Sequence, residues 1–183
     1  MRQYLVLATL ILVFSSASAQ NKLYSSTKSE FTFFSKAPLE DIKASNTRAN
    51  SMINLSNREL VVRLPVSQFQ FSNKLMQKHF NENYLESEKY PFATFKGRIN
   101  EDLDLSKTGV YVVSASGILT IHGVDQERKL NGKLTVTDQS MFLETKFQVI
   151  LVDHKIEIPK LVFKKIAEIV EVSASINYAP YQK

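Results

Sequence analysis

The chain has 183 residues, 44% of them hydrophobic and 22% charged, with a net charge of +5, no Cys, no Trp and three His. Without Cys there is no disulfide framework, no thiolate nucleophile and no Cys-ligated zinc or iron–sulfur cluster, and His79, His122 and His154 alone make a poor start for a His-rich metal site. The basic residues are scattered in runs no longer than two, so no nucleic-acid footprint is present.

The N-terminus carries the marks of export. Arg2 precedes an apolar run from Tyr4 to Phe14 that is broken only by Thr9, and the small residues Ala17-Ser18-Ala19 form an A-x-A cleavage pattern. The run is short for a membrane span, and polar sequence follows at once. Residues 1–19 therefore read as a signal peptide cut near Ala19-Gln20, which predicts a periplasmic or secreted protein. Residues 20–183 read as a single domain, without linker, repeat or low-complexity stretch.

Along that domain the dominant period is two. Phe31 and Phe33 share a face, as do Leu60, Val62 and Leu64. From Asn73 to Tyr84 the period changes: Met76, Phe80 and Tyr84 recur at i, i+4 and i+8, with Ser72 or Asn73 placed to cap, which predicts one short helix. Alternation returns at Phe95 and Ile99, at Tyr111, Val113 and Ala115, and over Lys129 to Val136, where Leu130, Leu134 and Val136 share a face. Leu143, Phe147, Val149 and Leu151 do so in the next segment. A helical turn near Leu161 to Lys165 is followed by Val170, Val172, Ala174, Ile176 and Tyr178, alternating with polar residues. One buried face and one wet face is the antiparallel signature.

All five glycines lie between Gly97 and Gly132, three of them inside strand patterns, where glycine marks bends and close backbone approach. A sheet bent that hard favours a barrel over a flat sandwich. The predicted fold class is all-β, an antiparallel barrel of about eight strands with one short helix covering a mouth. Strands of about ten residues tilted by about 40° enclose a channel on the order of 25 Å tall.

Two stretches carry a family resemblance. The first runs from His79-Phe80-Asn81-Glu82-Asn83-Tyr84 into Tyr90-Pro91-Phe92-Ala93-Thr94-Phe95-Lys96-Gly97, and the second is Gly117-Ile118-Leu119-Thr120-Ile121-His122-Gly123-Val124. Together they resemble the YceI-like family, over roughly Tyr24 to Tyr178. The resemblance implies a lipocalin-like barrel and a long apolar cavity that binds polyisoprenoid or other lipid chains in a Gram-negative periplasm. Where many members carry a polar pair such as Arg-Asp before the helix histidine, this chain reads Met76-Gln77-Lys78-His79.

The candidate ligand-binding residues are therefore Phe31, Phe33, Phe95, Leu119, Ile121, Leu134, Leu143, Phe147, Val149, Val172 and Ile176, which line a hollow barrel or pack a solid one. Met76, Phe80 and Tyr84 form the candidate lid. His79 and His122 are the candidate head-group contacts, or else structural ties, and His154 reads as an exposed turn residue. Lys78, Lys89 and Lys96 fit a solvated face. Substituting Phe147→Trp or Gly117→Leu is the expected way to plug a hollow interior. No G-x-S-x-G, H-E-x-x-H or Gly-rich phosphate loop appears, so no catalytic residue, metal or cofactor is assigned beyond a bound isoprenoid or other lipid. The favoured function is an exported protein that sequesters or carries a polyisoprenoid, quinone-like or fatty-acid-like chain, with transient membrane contact. An isomerase or cyclase acting on a sequestered lipid, and a ligand-free stress or interaction domain, are the alternatives. Monomer and homodimer both fit.

Overall fold

A computed structural model describes residues 23–36, 41–102, 104, 107–158 and 167–182. The expected signal peptide and the expected helical turn at 161–165 lie outside these described residues.

Among them, ten strands form one continuous antiparallel sheet. The long first strand, β1 (Leu23–Ser35), pairs along its length with the last, β10 (Ile169–Pro180), and this pairing closes the sheet on itself. The other edge of β1 is shared. Leu23 to Ser25 pair with β3 (Asn50–Asn54), and Phe31 to Ser35 pair with β2 (Ile42–Asn46). Thus β2 and β3 act as one stave, broken around Thr47 to Ala49. The next stave is broken in the same way. There β4 (Glu59–Pro65) pairs with β3, a 3-10 turn at Val66–Gln68 follows, and β5 (Gln70–Phe71) continues against β2. The wall then runs through β6 (Phe92–Ile99), β7 (Gly109–Ile121), β8 (Val124–Val136) and β9 (Met141–Ile150) to β10. The result is a closed eight-staved barrel, as the alternation requires.

Inward residues follow the period of two. Across β7, β8, β9, β10 and β1 one interior row reads Val113, Gly132, Thr145, Ala174 and Phe31. Its three central members are small. Gly97 and Gly117 face each other across β6 and β7. A Cβ on Gly97 would lie 2.7 Å from the Ser116 carbonyl oxygen, and one on Gly117 would overlap the Lys96 carbonyl. The two glycines let the backbones close up, which bends the wall there. Gly117 is thus no place for a plug: Gly117→Leu would push against backbone rather than fill open space.

One end of the barrel is shut. Leu134 and Ile53 are fully buried, Met141 and Tyr178 nearly so. Tyr178 Oη and Ser51 Oγ lie 2.6 Å apart, and the Ser51 hydroxyl also donates to the Val61 carbonyl at 2.9 Å. Burial pushes the Tyr178 phenol well above its ordinary pKa, so it stays neutral and its hydrogen bond persists at any physiological pH.

The other end is covered by helix. Asn73 caps it: its Oδ1 accepts from the Leu75 and Met76 amides at 2.9 and 3.2 Å. The α-helix, α1 (Lys74–His79), lasts only six residues. Phe80–Tyr84 widens into a π-helical turn, in which the Leu85 amide donates to the Phe80 carbonyl at 2.9 Å. The period of four in the sequence predicted one helix from Asn73 to Tyr84. Side-chain spacing alone does not register this change of hydrogen-bond ring.

Candidate functional site: an apolar cavity with a helical cover

The barrel is hollow. Inside it lies a cavity of about 220 Å³ whose wall is almost wholly apolar. The alternation that makes each strand places one large side chain after another on this wall. The sequence-derived positions are all found there: Phe31 and Phe33 on β1, Phe95 on β6, Leu119 and Ile121 on β7, and Leu134 on β8. Leu143, Phe147 and Val149 on β9 join them, with Val172 and Ile176 on β10. The small row of Gly132, Thr145 and Ala174 borders the same space and gives it room at mid-height.

The cover is aromatic. Met76, Phe80 and Tyr84 all line the cavity from the helix side. Phe80 stacks on Phe33 at 5.4 Å and lies 5.5 and 5.0 Å from the rings of Phe69 and Phe71. Phe69 and Phe71 follow the break in the β4–β5 stave, where β5 spans only two residues. Sequence reasoning missed both; the F-x-F spacing of Phe69-Gln70-Phe71 is the signal that would have found them. Aromatic pairs in these geometries add stabilisation beyond the area they bury. No side chain of α1 is fully buried, however, so the cover rests on the barrel without being built into its core.

Polar groups around the cavity are few. Ser35, Tyr84, Thr94, Asn131 and Thr145 border it. Among the described residues no Asp, Glu, Lys, Arg or His lines it, and none form a group of three or more able to hold a metal.

The two candidate head-group histidines sit outside the lining. His79 is exposed at the end of α1. His122 is in the β7–β8 turn with a left-handed backbone at φ 53°, followed by Gly123 at φ 70°. Two successive positive φ values make a tight hairpin turn, which explains the His-Gly pair. His122 Nε2 lies 2.7 Å from Glu86 Oε2 and its Nδ1 lies 3.1 Å from the His154 carbonyl oxygen. The Tyr90 ring meets the imidazole edge-on at 4.6 Å. His122 thus ties the hairpin to the segment after the π-turn and to the 3-10 turn at Leu151–His154.

His154 departs from the expectation of an exposed turn, for it is fully buried. The 3-10 turn packs it against β8, where its Nδ1 donates to the Val124 carbonyl at 3.3 Å. Burial holds its pKa below the ordinary histidine value, against the opposing pull of the Val124 and Ile121 carbonyls. Polar neighbours such as Asp153 and Lys155 made the segment read as exposed, whereas the turn presents its sides differently.

Comparison with known proteins agrees with the barrel. No curated protein sequence matches the chain. Among solved structures, a polyisoprenoid-binding domain from Saccharophagus degradans, implicated in plant cell wall breakdown, superposes with a TM-score of 0.76 at 16% identity. The match covers 86% of this chain and 98% of that one. Burkholderia cenocepacia BcnA matches with a TM-score of 0.67 at 13% identity, over 81% of this chain and 95% of its own. The YCEI protein of Campylobacter jejuni follows at 0.58 and 12%, with full coverage of both. At these identities the likeness speaks for the fold. The YceI-like domain family itself matches residues 17–178, nearly the whole of the barrel, and the chain belongs to that family.

Proposed function

We propose that this protein binds a polyisoprenoid or similar long apolar chain in its barrel and sequesters or carries it without transforming it. The observation that carries this reading is the cavity: a space inside the barrel lined by apolar side chains, with small residues at mid-height and an aromatic cover at one end. A solid barrel would have filled that space with the same residue types. Burying an apolar chain there is favourable by about 25 cal/mol per Å² removed from water. Binding without chemistry is supported by the lining itself, which holds no carboxylate, imidazole or amine among the described residues; its phenol, Tyr84, has its pKa raised by burial and stays neutral. The Saccharophagus degradans relative is a polyisoprenoid-binding domain, which agrees with an isoprenoid as ligand.

Export is the second half of the proposal. Arg2, the apolar run from Tyr4 to Phe14 and Ala17-Ser18-Ala19 support removal of residues 1–19 and a periplasmic or secreted location. Transient contact with an anionic membrane is supported at the helix end, where the exposed Leu75 is flanked by Lys74 and Lys78.

Native mass spectrometry of the purified protein tests the binding. A retained lipid, or stoichiometric uptake of added farnesol, is the expected result. Phe147→Trp and Ala174→Phe should reduce uptake while the protein stays folded, because both side chains would extend into the cavity. A well-folded protein that retains no lipid and takes up no farnesol sinks the proposal.

A further inference from the structure

We propose that an apolar chain enters and leaves the cavity sideways, through a seam between β8 and β9 that Arg128 and Gln126 strap shut. This deepens the binding reading and rests on it.

The seam is visible in the register. β8 and β9 pair only from Gly132↔Thr145 to Val136↔Met141. Beyond that point both strands go on. β8 continues to Val124 against β7, and β9 continues to Ile150 against β10. The upper half of the wall therefore has two neighbouring strands with no backbone ladder between them. The sequence of β8 shows why. Its inward positions in the lower half are Leu130, Gly132, Leu134 and Val136, whereas those in the upper half are Gln126 and Arg128. A continued ladder would turn these two polar side chains toward an apolar interior, at a desolvation cost.

Instead they span the seam. Arg128 Nη2 donates to the Gln148 carbonyl at 2.6 Å, and Gln126 Nε2 donates to the Asp153 carbonyl at 2.7 Å. At the foot of the seam Thr145 Oγ1 donates to the Asn131 carbonyl at 2.6 Å. Each of these side chains donates to a backbone carbonyl at or beyond the end of the β8–β9 ladder. At this foot Asn131, Gly132, Thr145 and Ala174 border both the cavity on the inside and an open groove on the outside. Just above them Leu130 and Phe147 present apolar side chains to the interior. A gap here needs no ladder to break. It needs Arg128 and Gln126 to let go of carbonyls that water can then solvate, while the His154–Val124 and His122–His154 bonds hold the turn above.

The lack of native Cys permits a clean test. Lys129 and Gln148, both exposed, form the second outward pair, after Asn131 and Lys146, that the interrupted register would bring together. Lys129→Cys with Gln148→Cys, joined by a short thiol-reactive crosslinker, staples the seam. Ser116→Cys with Lys129→Cys staples a pair already in register within the β7–β8 ladder and serves as control. Uptake and release of N-phenyl-1-naphthylamine are followed by stopped-flow fluorescence, with circular dichroism to confirm folding. The seam staple should slow both rates at least about tenfold with an unchanged equilibrium amplitude, while the control staple leaves them unaltered. Arg128→Ala, without any staple, should speed exchange about fivefold, as expected for losing one ordinary hydrogen bond. Seam-stapled protein that fills as fast as the control overturns the port and leaves the binding reading intact. Unstapled protein that never takes up the probe overturns both.

Discussion

The two ends of the barrel differ in how their strands finish. At the shut end, β8 and β9 are fully laddered, Leu134, Ile53 and Met141 have almost no exposure, and the Tyr178–Ser51 hydrogen bond closes the floor. At the helix end the β8–β9 ladder is missing and α1 buries no side chain completely. Packing is thus tightest at the shut end and looser under the helix. A hollow barrel needs this division, because its hollow half cannot contribute the dense packing on which a small domain normally relies.

The largest expected effect is at the shut end. Leu134→Ala should cost about 3 kcal/mol of global stability, within the usual span for a buried leucine, read as a shifted urea midpoint. Phe80→Ala in the cover should cost clearly less while weakening retention of an apolar probe. Equal losses for the two would erase the distinction between the ends. Tyr178→Phe should cost about 1 kcal/mol, the typical net worth of one hydrogen bond, and leave probe binding unchanged; a binding defect would show that the floor belongs to the site. Asn73→Ala removes the helix cap and should cost up to about 1 kcal/mol. That loss should appear as faster hydrogen exchange at the Leu75 and Met76 amides, with little change in the global midpoint.

The most diffuse effect is one of pH. The folded-state pKa of His154 is depressed by burial, so the unfolded chain takes up a proton first as pH falls. The stability it confers is fully present above the unfolded value of about 6.5 and is lost as pH drops from there through the folded value. His154→Gln should flatten thermal stability across that window. An unchanged slope would assign the pH dependence to other groups.

Much of the barrel was legible because most staves have one wet face. β9 and β10 alternate so cleanly that their cavity-facing residues follow from parity alone. The helix cap at Asn73 was legible for a similar reason, since a short polar side chain at that place has a specific backbone task. The upper half of β8 was not. Asp125-Gln126-Glu127-Arg128 has no apolar alternation, and the pattern becomes legible only at Lys129, whereas the strand begins at Val124. Backbone pairing with β7 holds this segment in the strand without any apolar alternation. The polar start of β1 hides in the same way, and its register slips between Ser26 and Lys28. His154 was misplaced because burial in a 3-10 turn depends on what the turn packs against, which local polarity does not reveal.

The shut floor has a consequence for selectivity. A tube blind at one end acts as a gauge of length. Each added carbon of a short guest gains burial until the guest reaches the Tyr178 end, and every carbon after that stays in water and adds nothing. Affinity plotted against chain length should therefore climb and then level off, and the length at the bend measures the depth of the barrel from the outside.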